Sequence, residues 1–372
     1  MHSRFHSQEF ALKPLQQVLA QCGSELDAVQ TLKRLIGQGL DRLPRPGSGA
    51  TLLRWQALAA VARHDLALAK LYEGHTDALA ILAEFGMAQL SDDSIWGVWA
   101  AESPQGRAWL RWDSESAQHR LEGDKFWCSG AAAVTHGLLT AWVEGESQPQ
   151  LVSVEMNQPG ISIDASAWQA VGMAGSTSVD LHFTCAVARP VGRPGQYLSR
   201  AGFWHGGAGI AACWFGGAQG IADALHRSVA DDRSREQGPN DFKRAACGRV
   251  DLELRTTAAL LREVAAWIDA HPSANETAHE RAHAQAQAQA QAHAHAHAHA
   301  QALRARLAAE ACARRVLEEA GRALGATPFC RDAKFARAAA DLPVFIRQSH
   351  GDRDFAALGN HWAASETDAW TL

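Results

Sequence analysis

The sequence lacks the features that mark membrane-spanning, secreted and nucleic-acid-binding proteins. Its 372 residues contain no run of about 18 apolar residues and no apolar N-terminal stretch typical of a secretory signal. The seven cysteines are odd in number, widely spaced and without a CxxC pair, which argues against a disulfide framework or a zinc knuckle. The net charge of -5, with scattered Lys and Arg, provides no basic surface for nucleic acid. We therefore expect a reduced, cytoplasmic protein without membrane or nucleic-acid partners.

Tryptophan, by contrast, is abundant. Seven of the thirteen tryptophans fall between residues 93 and 170, namely Trp96, Trp99, Trp109, Trp112, Trp127, Trp142 and Trp168. Large rings can fill the core of a small β domain, and one or two can also form the wall of a site for a flat aromatic cofactor. Both interpretations remain open from composition alone.

The pattern of apolar residues divides the chain into three parts. Residues 1–92 have helical spacing, with an interruption expected near Gly74. Residues 93–195 consist of short alternating runs separated by Gly, Pro, Ser and Asp turns, which predicts a small antiparallel sheet. Residues 196–372 are helical again. This order predicts an α+β fold with an N-terminal helical domain, a central antiparallel β domain and a C-terminal helical bundle.

The last part contains a low-complexity insert of Ala, Gln and His at 278–302. His293 and His297 stand four residues apart, a spacing that could hold a metal ion on one helix face. Strict alternation spreads the histidines around a helix, however, and the insert has no cysteine. We expect no metal site there, and interpret the insert as an Ala-rich helix extension or a flexible insertion.

Four short motifs resemble those of one enzyme family, the acyl-CoA dehydrogenase superfamily. They are LEGDKFWCSG at 121–130, WGVWAAESP at 96–104, VGMAGSTSVDLHF at 171–183 and RDAK at 331–334. The resemblance implies a flavin, FAD or else FMN, lying along Trp127, Cys128 and Ser129, with Trp99 and Ala101 at its border. Ala101 stands where the family usually has Thr. The resemblance also implies a homodimer or homotetramer and a small-molecule substrate such as an acyl-CoA.

Dehydrogenation of an acyl thioester needs a base for the α proton, while the β hydrogen leaves as hydride to flavin N5. In the family a Glu follows the RDAK motif, and that position falls here on Ala340. The neighbouring Asp341 is our candidate base, and its shorter side chain requires the backbone to come closer. The implied activity is α,β-dehydrogenation of an acyl thioester with this substitute base.

Two alternatives follow from the missing Glu. The DLPV segment at 341–344 is similar to the "H-D-P" turn of flavin-dependent monooxygenases that share the fold, which need no such base. In that case His350, His205 and Ser129 are the candidate polar groups near the flavin. The second alternative is a degenerate, non-catalytic scaffold.

Two further segments bear on the cofactor and on assembly. QGPNDF at 237–242 is similar to the family's diphosphate clamp and contains Phe242, but has Gly238 where Arg is expected, which weakens the case for FAD. The small-residue segment GGAGIAACWFGGAQG at 206–220 suits close helix packing, either between subunits or within one chain.

Overall fold

The computed structural model describes residues 10–23, 27–87, 93–200, 202–232, 240–272 and 284–364. It has N-terminal helices, a central sheet and C-terminal helices, as the sequence predicts. None of the helices in these ranges combines the length and apolarity that crossing a membrane would require.

The secondary structure elements follow this order along the chain. The N-terminal helices are α1 (Leu12–Gln21), α2 (Ala28–Ile36), α3 (Thr51–His64) and α4 (Leu66–Glu84). The strands are β1 (Trp96–Trp99), β2 (Ala108–Asp113), β3 (Gln118–Cys128), β4 (His136–Ala141), β5 (Gln150–Glu155), β6 (Ile161–Asp164) and β7 (Val179–Val191). The C-terminal helices are α5 (Gln196–Ser199), α6 (Gly202–Gly207), α7 (Ile210–Asp232), α8 (Asp241–Ala270), α9 (Ala284–Leu324), α10 (Ala326–Arg331), α11 (Ala333–Phe345) and α12 (Asp352–Ala363).

The break between α3 and α4 lies at Asp65 and not near Gly74, where the sequence placed it. Asp65 is in an extended conformation, and its carboxylate accepts the backbone N–H of Leu68 at 2.7 Å. Asp is a favoured N-cap residue because its side chain satisfies a donor that the first helical turn leaves free. Gly74 instead lies inside α4, close to Val98 of β1. Gly74 therefore does not end the helix, and a Cβ at this position would lie 3.8 Å from the backbone nitrogen of Val98, an ordinary contact distance.

The described strands form one sheet in the order β1-β4-β5-β7-β3-β2, with β6 also paired to β7. All neighbouring strands are antiparallel except β1 and β4, which run parallel. The thirteen-residue strand β7 connects the two halves of the sheet, because its first part pairs with β3 and β6 and its last residues pair with β5. This long strand therefore fixes the position of β3 relative to β1.

The small-residue segment 206–220 packs within the chain. A side chain at Gly216 would place its Cβ 2.2 Å from the carbonyl oxygen of Ala59 on α3, so the two helices approach to backbone contact. A Cβ added at Gly220 would likewise lie 3.0 Å from the carbonyl oxygen of Arg63. Of the two interpretations of this segment, the structure therefore shows the contact between helices of one chain.

The low-complexity insert is helical from residue 284 and forms the start of α9, whereas residues 278–283 lie outside the described part. His295 Nε2 accepts the indole N–H of Trp204 at 2.8 Å, and the ring of His299 stacks on the same indole at 4.0 Å. His295 and His299 are one helical turn apart, so both contact one partner. In the described residues, no group of three or more His, Cys, Asp or Glu side chains could hold a metal ion.

Candidate functional site

The indole of Trp127 is turned outward by an irregularity in β3. Lys125 pairs with Leu181 and Cys128 pairs with Val179, so three steps on β3 match two steps on β7. Trp127 lies at this bulge with φ of +57°, a left-handed conformation that is costly for a residue with a side chain. Lys125 is buried, and regular alternation would bury Trp127 as well. The bulge instead leaves Trp127 52% exposed and directs Cys128 inward.

Ser129 is held by a short 3-10 turn at Ala174–Ser176 and the residues after it. Its hydroxyl lies 2.8 Å from that of Ser178, and the next N–H, of Gly130, donates to the carbonyl of Ser176 at 3.0 Å. The carbonyl of Ser129 accepts the indole N–H of Trp99 at 3.1 Å. The turn that carries Trp127 and Ser129 is thus fixed from two sides by segments distant in sequence.

Trp99 and Cys128 occupy interior positions. The Trp99 ring is 3% exposed and lies over Gly97 and Gly137, where a side chain on either glycine would clash with it. Cys128 is fully buried, and burial raises the pKa of its thiol far above the usual range. Both residues therefore pack in the interior next to the Trp127 turn. Neither is accessible to a ligand in this structure. Ala101, which follows β1, is exposed.

An ion pair that the sequence analysis did not single out links two of the motifs, with Lys125 buried and Glu102 37% exposed. Lys125 Nζ lies 2.8 Å from a carboxylate oxygen of Glu102 and also donates to the carbonyl and hydroxyl of Thr140. The indole N–H of Trp142 donates to the other Glu102 oxygen at 2.9 Å. Burial alone would raise the pKa of Glu102, but these donors hold it below its usual range. The cluster holds the loop after β1 against β3. In the sequence, the pair could have been predicted only from the presence of one acidic and one basic residue in two of the four motifs.

Asp341 lies in α11 beside the loop that precedes the 3-10 turn. Its Oδ1 accepts the backbone N–H of Met173 at 2.5 Å, and the carbonyl of Ala340 closely approaches Gly172. Burial raises the pKa of Asp341, which the Met173 N–H partly opposes. The segment resembling an "H-D-P" turn is helical here, with Pro343 inside α11. Asp341 is therefore joined to the Ser129 turn through the loop at 172–178.

The two candidate histidines lie in different surroundings. His350 is exposed at the start of α12, where its Nδ1 lies 3.3 Å from the carboxylate of Asp354 and its N–H also donates to that side chain. His205 is 4% exposed beside Gly47, and burial lowers its pKa to about 4. The contacts described for His350 and His205 are with helices and loops of the helical parts, and none involves Ser129 or Trp127.

The residues around Trp127 suit a flat aromatic ring. The indole provides a half-exposed apolar face, and Ser129 provides a hydroxyl close to it in the chain. Ala101, at the end of β1, is exposed and small. For a phosphate-bearing tail, Phe242 is 86% exposed at the start of α8, whereas Gly238 lies outside the described residues.

No family model matches the sequence, and no curated protein does either. Solved structures, however, are similar over nearly the whole chain. KijD3, bound to FMN and a dTDP-linked amino sugar, is 18% identical, with 96% of this chain and 93% of KijD3 aligned and a TM-score of 0.75.

Two further structures resemble the chain to the same degree. The nitrososynthase of Micromonospora carbonacea var. africana is 17% identical, with coverage of 95% and 96% and a TM-score of 0.76. TdsC, the dibenzothiophene monooxygenase of Paenibacillus sp. A11-2, is 15% identical, with coverage of 94% and 97% and a TM-score of 0.73. Similarity of this kind establishes architecture, and the chain accordingly has the acyl-CoA dehydrogenase-like fold.

Proposed function

We propose that this protein is a flavin-dependent oxidoreductase that holds FMN or FAD against Trp127 and Ser129. The observation that carries the proposal is the outward indole of Trp127, kept at a left-handed bulge in a strand that resembles a flavin-site strand. Strained residues of this kind cluster at functional sites, where the surrounding structure compensates for their cost. Support also comes from KijD3 and TdsC, which have the same fold and have been crystallised with FMN.

Within this class we propose a monooxygenase acting on a small molecule. Ala340 stands at the position of the family's base, and Asp341 is engaged with the Met173 backbone N–H. A reaction that removes no α proton suits this arrangement better than dehydrogenation. The fold neighbours include a nitrososynthase and a dibenzothiophene monooxygenase, which is consistent with oxygenation.

The bound flavin would supply the electron transfer and the activation of oxygen. The residues of the chain would bind and orient it. Trp127 offers an apolar face for stacking, and Ser129 offers a hydroxyl whose direction is set by Ser178. Trp99 and the Glu102–Lys125 pair hold β1 and the loop after it against β3 and the turn that follows it.

Dehydrogenation of an acyl thioester is the second candidate function, with Asp341 as base. The raised pKa of this buried carboxyl favours it, because a carboxylate with a higher pKa is the stronger base. In this case Oδ1 would keep the bond to Met173, and the other carboxylate oxygen of Asp341 would accept the substrate proton. The third candidate function is that of a non-catalytic scaffold.

Flavin binding is tested by the absorption spectrum of the purified protein and by titration of the apoprotein with FMN and FAD. Trp127→Ala should weaken binding by about tenfold, the loss expected for one stacked aromatic ring. Trp112→Ala is the matched control, since Trp112 is 59% exposed on β2 of the same sheet. A colourless protein that binds neither flavin would refute the proposal and leave the scaffold.

The two reactions are separated by how the flavin is reduced and reoxidised. Bleaching by acyl-CoA without oxygen, abolished in Asp341→Asn, would select dehydrogenation. Reduction by an external reductase, followed by oxygen-dependent turnover of an added substrate, would select the monooxygenase. Screening should include the substrate classes of the fold neighbours, which are aromatic heterocycles and nucleotide-linked amino sugars.

The assembly and the domain limits belong to the same proposal. We propose a homodimer or homotetramer in the cytoplasm, with domains at 1–92, 93–195 and 196–372. Light scattering reports the mass of the assembly, and limited proteolysis reports the domain limits.

A further inference from the structure

A cleft in the described part of the chain lies among helices, away from the proposed flavin face. It has a volume of about 670 Å³ and lies between α1, α3, α7 and α8. That size falls within the range of small-ligand sites. Trp55, Phe215 and Leu261 contribute apolar surface to its lining, and neither Trp127 nor Ser129 is among the lining residues.

A second cavity of about 210 Å³ adjoins this cleft and extends it toward α11. Lys334 and His64 border both cavities, and Asp341 lines the second one. Burial and the neighbouring Lys334 charge lower the pKa of His64, as expected for a cation close to the shared boundary. The two cavities therefore lie side by side in one helix-lined space with a shared charged boundary.

The charges around this space do not balance. The guanidinium of Arg63 is paired with both carboxylate oxygens of Asp223, at 2.7 and 2.6 Å, so this pair contributes little net charge. Lys334, Arg262 and Arg227 are exposed lining residues without an ion-pair partner among the described residues. In the second cavity Arg337 pairs with Asp65 at 3.8 Å, and Asp341 is the remaining carboxyl. The three cations without an ion pair outnumber this one carboxyl, and beside an apolar lining they favour a ligand that combines an acidic group with an apolar body.

We propose that this space, which we call the helical cleft, binds an anionic amphiphile of small-molecule size. The apolar body would lie on Trp55, Phe215 and Leu261, and the acidic group would lie between Lys334 and Arg262. The site does not depend on the flavin proposal, because none of the residues assigned to the flavin lines the cleft.

Isothermal titration calorimetry of the full-length protein with three probes tests the cleft. Decanoate, kept below its micelle-forming concentration, should bind saturably at one site per chain. Decanol, which has the same chain without the charge, should bind about tenfold more weakly or worse, because it cannot pair with the cations. Acetate, which has the charge without the chain, should not bind measurably. Increasing ionic strength should weaken the binding of decanoate.

Variants locate the binding in the cleft. The double variant Lys334→Gln/Arg262→Gln should weaken decanoate binding by about tenfold or more without affecting decanol. Ala258→Trp, which fills the cleft from α8, should weaken both amphiphiles. Arg315→Gln is the matched control, since Arg315 is an exposed arginine on α9 outside the cleft.

The melting temperature of each variant should match that of the unaltered protein, which shows that the variant is folded. We expect this for the double variant because Lys334 and Arg262 are exposed. Equal affinity for decanoate and decanol would show that the cations play no part. An equal loss in Arg315→Gln, or unaltered binding in Ala258→Trp, would place the amphiphile elsewhere. Any of these results would overturn the proposal, including an absence of decanoate binding to the unaltered protein.

Discussion

Trp127 combines a costly backbone conformation with an exposed aromatic side chain. The left-handed region costs a residue with a side chain about 1–2 kcal/mol, a cost that glycine does not carry. The neighbouring contacts of Ser129 and Gly130 hold the bulge in place. A strained, exposed indole on a firmly held turn is difficult to explain by packing alone, which is why we connect it with a ligand.

This strain predicts an unusual order of stability. Trp127→Gly should be more stable than Trp127→Ala by about 1 kcal/mol, because both lose the indole and only glycine adopts φ of +57° without strain. At Trp112, in regular strand β2, the order should reverse, since glycine loses more entropy on folding. Urea unfolding of the four variants measures both differences. The same order at both positions would argue against strain at Trp127.

Asp341 predicts a difference between two substitutions. Asp341→Ala should cost about 1–3 kcal/mol, because it leaves the buried N–H of Met173 without an acceptor. Asp341→Asn retains an acceptor and should cost less. The measurement is urea unfolding at neutral pH, and equal losses would show that the bond contributes little.

The Asp341 carboxyl also makes the free energy of unfolding depend on pH, in a direction that its pKa shift predicts. Its pKa is raised in the folded protein, so the folded state holds the proton more tightly than the unfolded state. Between the ordinary pKa and the raised one, its contribution to the free energy of unfolding therefore falls as pH rises. Asp341→Asn should gain stability relative to the unaltered protein over this window. A difference that does not vary with pH would contradict the shift.

At the scale of elements, the contact of α7 with α3 depends on glycine. Gly216→Ala should destabilise by about 1–3 kcal/mol, because its Cβ would lie 2.2 Å from the Ala59 carbonyl oxygen and the helices must separate. Gly248→Ala, inside α8, should stabilise by about 0.5–1 kcal/mol, because the added Cβ would meet no other part of the chain within 4 Å and alanine lowers the entropy of the unfolded chain. Thermal or urea unfolding distinguishes the two signs. A loss at Gly248 as large as at Gly216 would mean that helix contact is not the cause.

The start of α9 is expected to loosen in acid. His295 accepts the Trp204 indole N–H only when Nε2 is unprotonated, and burial lowers the pKa of His295. The stabilising contact is therefore present above the ordinary histidine pKa of about 6.5 and is lost as pH falls through the lowered value. The hydrogen-exchange protection factors of α9 amides, which correct for the intrinsic pH dependence of exchange, should fall in acid for the unaltered protein and for His293→Gln, which changes an exposed repeat histidine. His295→Gln, which keeps an acceptor, should respond less.

At the scale of the whole molecule, the reactivity of the cysteine thiols reports which parts of the folded chain are buried. The structure has all seven as free thiols, of which Cys185 and Cys330 are exposed. With a thiol reagent, these two should react first in the native protein, and Cys330 ahead of Cys185. The hydrogen bond to Glu122 raises the pKa of the Cys185 thiol and so reduces its thiolate. The buried thiols should react only on unfolding, and a reductant should leave the melting temperature unchanged.

The fold was largely predictable from the sequence, because local patterns carry it. Helical spacing, alternation and turn residues predicted the order of helices, strands and helices, and short motifs predicted the family of folds. The error at the α3–α4 junction has a local cause, since Asp65 can cap a helix and Gly74 can lie inside one. The small-residue segment predicted close packing but left its partner open, because the surface that it contacts comes from residues far away in the chain.

The candidate site was predictable in its residue types and not in its geometry. The motif containing Trp127 and Ser129 was identified by its resemblance to a family motif. The sequence did not distinguish exposed Trp127 from buried Trp99 and Cys128. The β3 bulge decides this, and a bulge follows from how two strands pair. The Glu102–Lys125 pair, the contact of Asp341 with Met173 and the helical cleft likewise join segments distant in sequence. The sequence alone determined the elements and their order, because these depend on neighbouring residues. Only the tertiary structure decided which side chains face a ligand, because burial and contact depend on the whole chain.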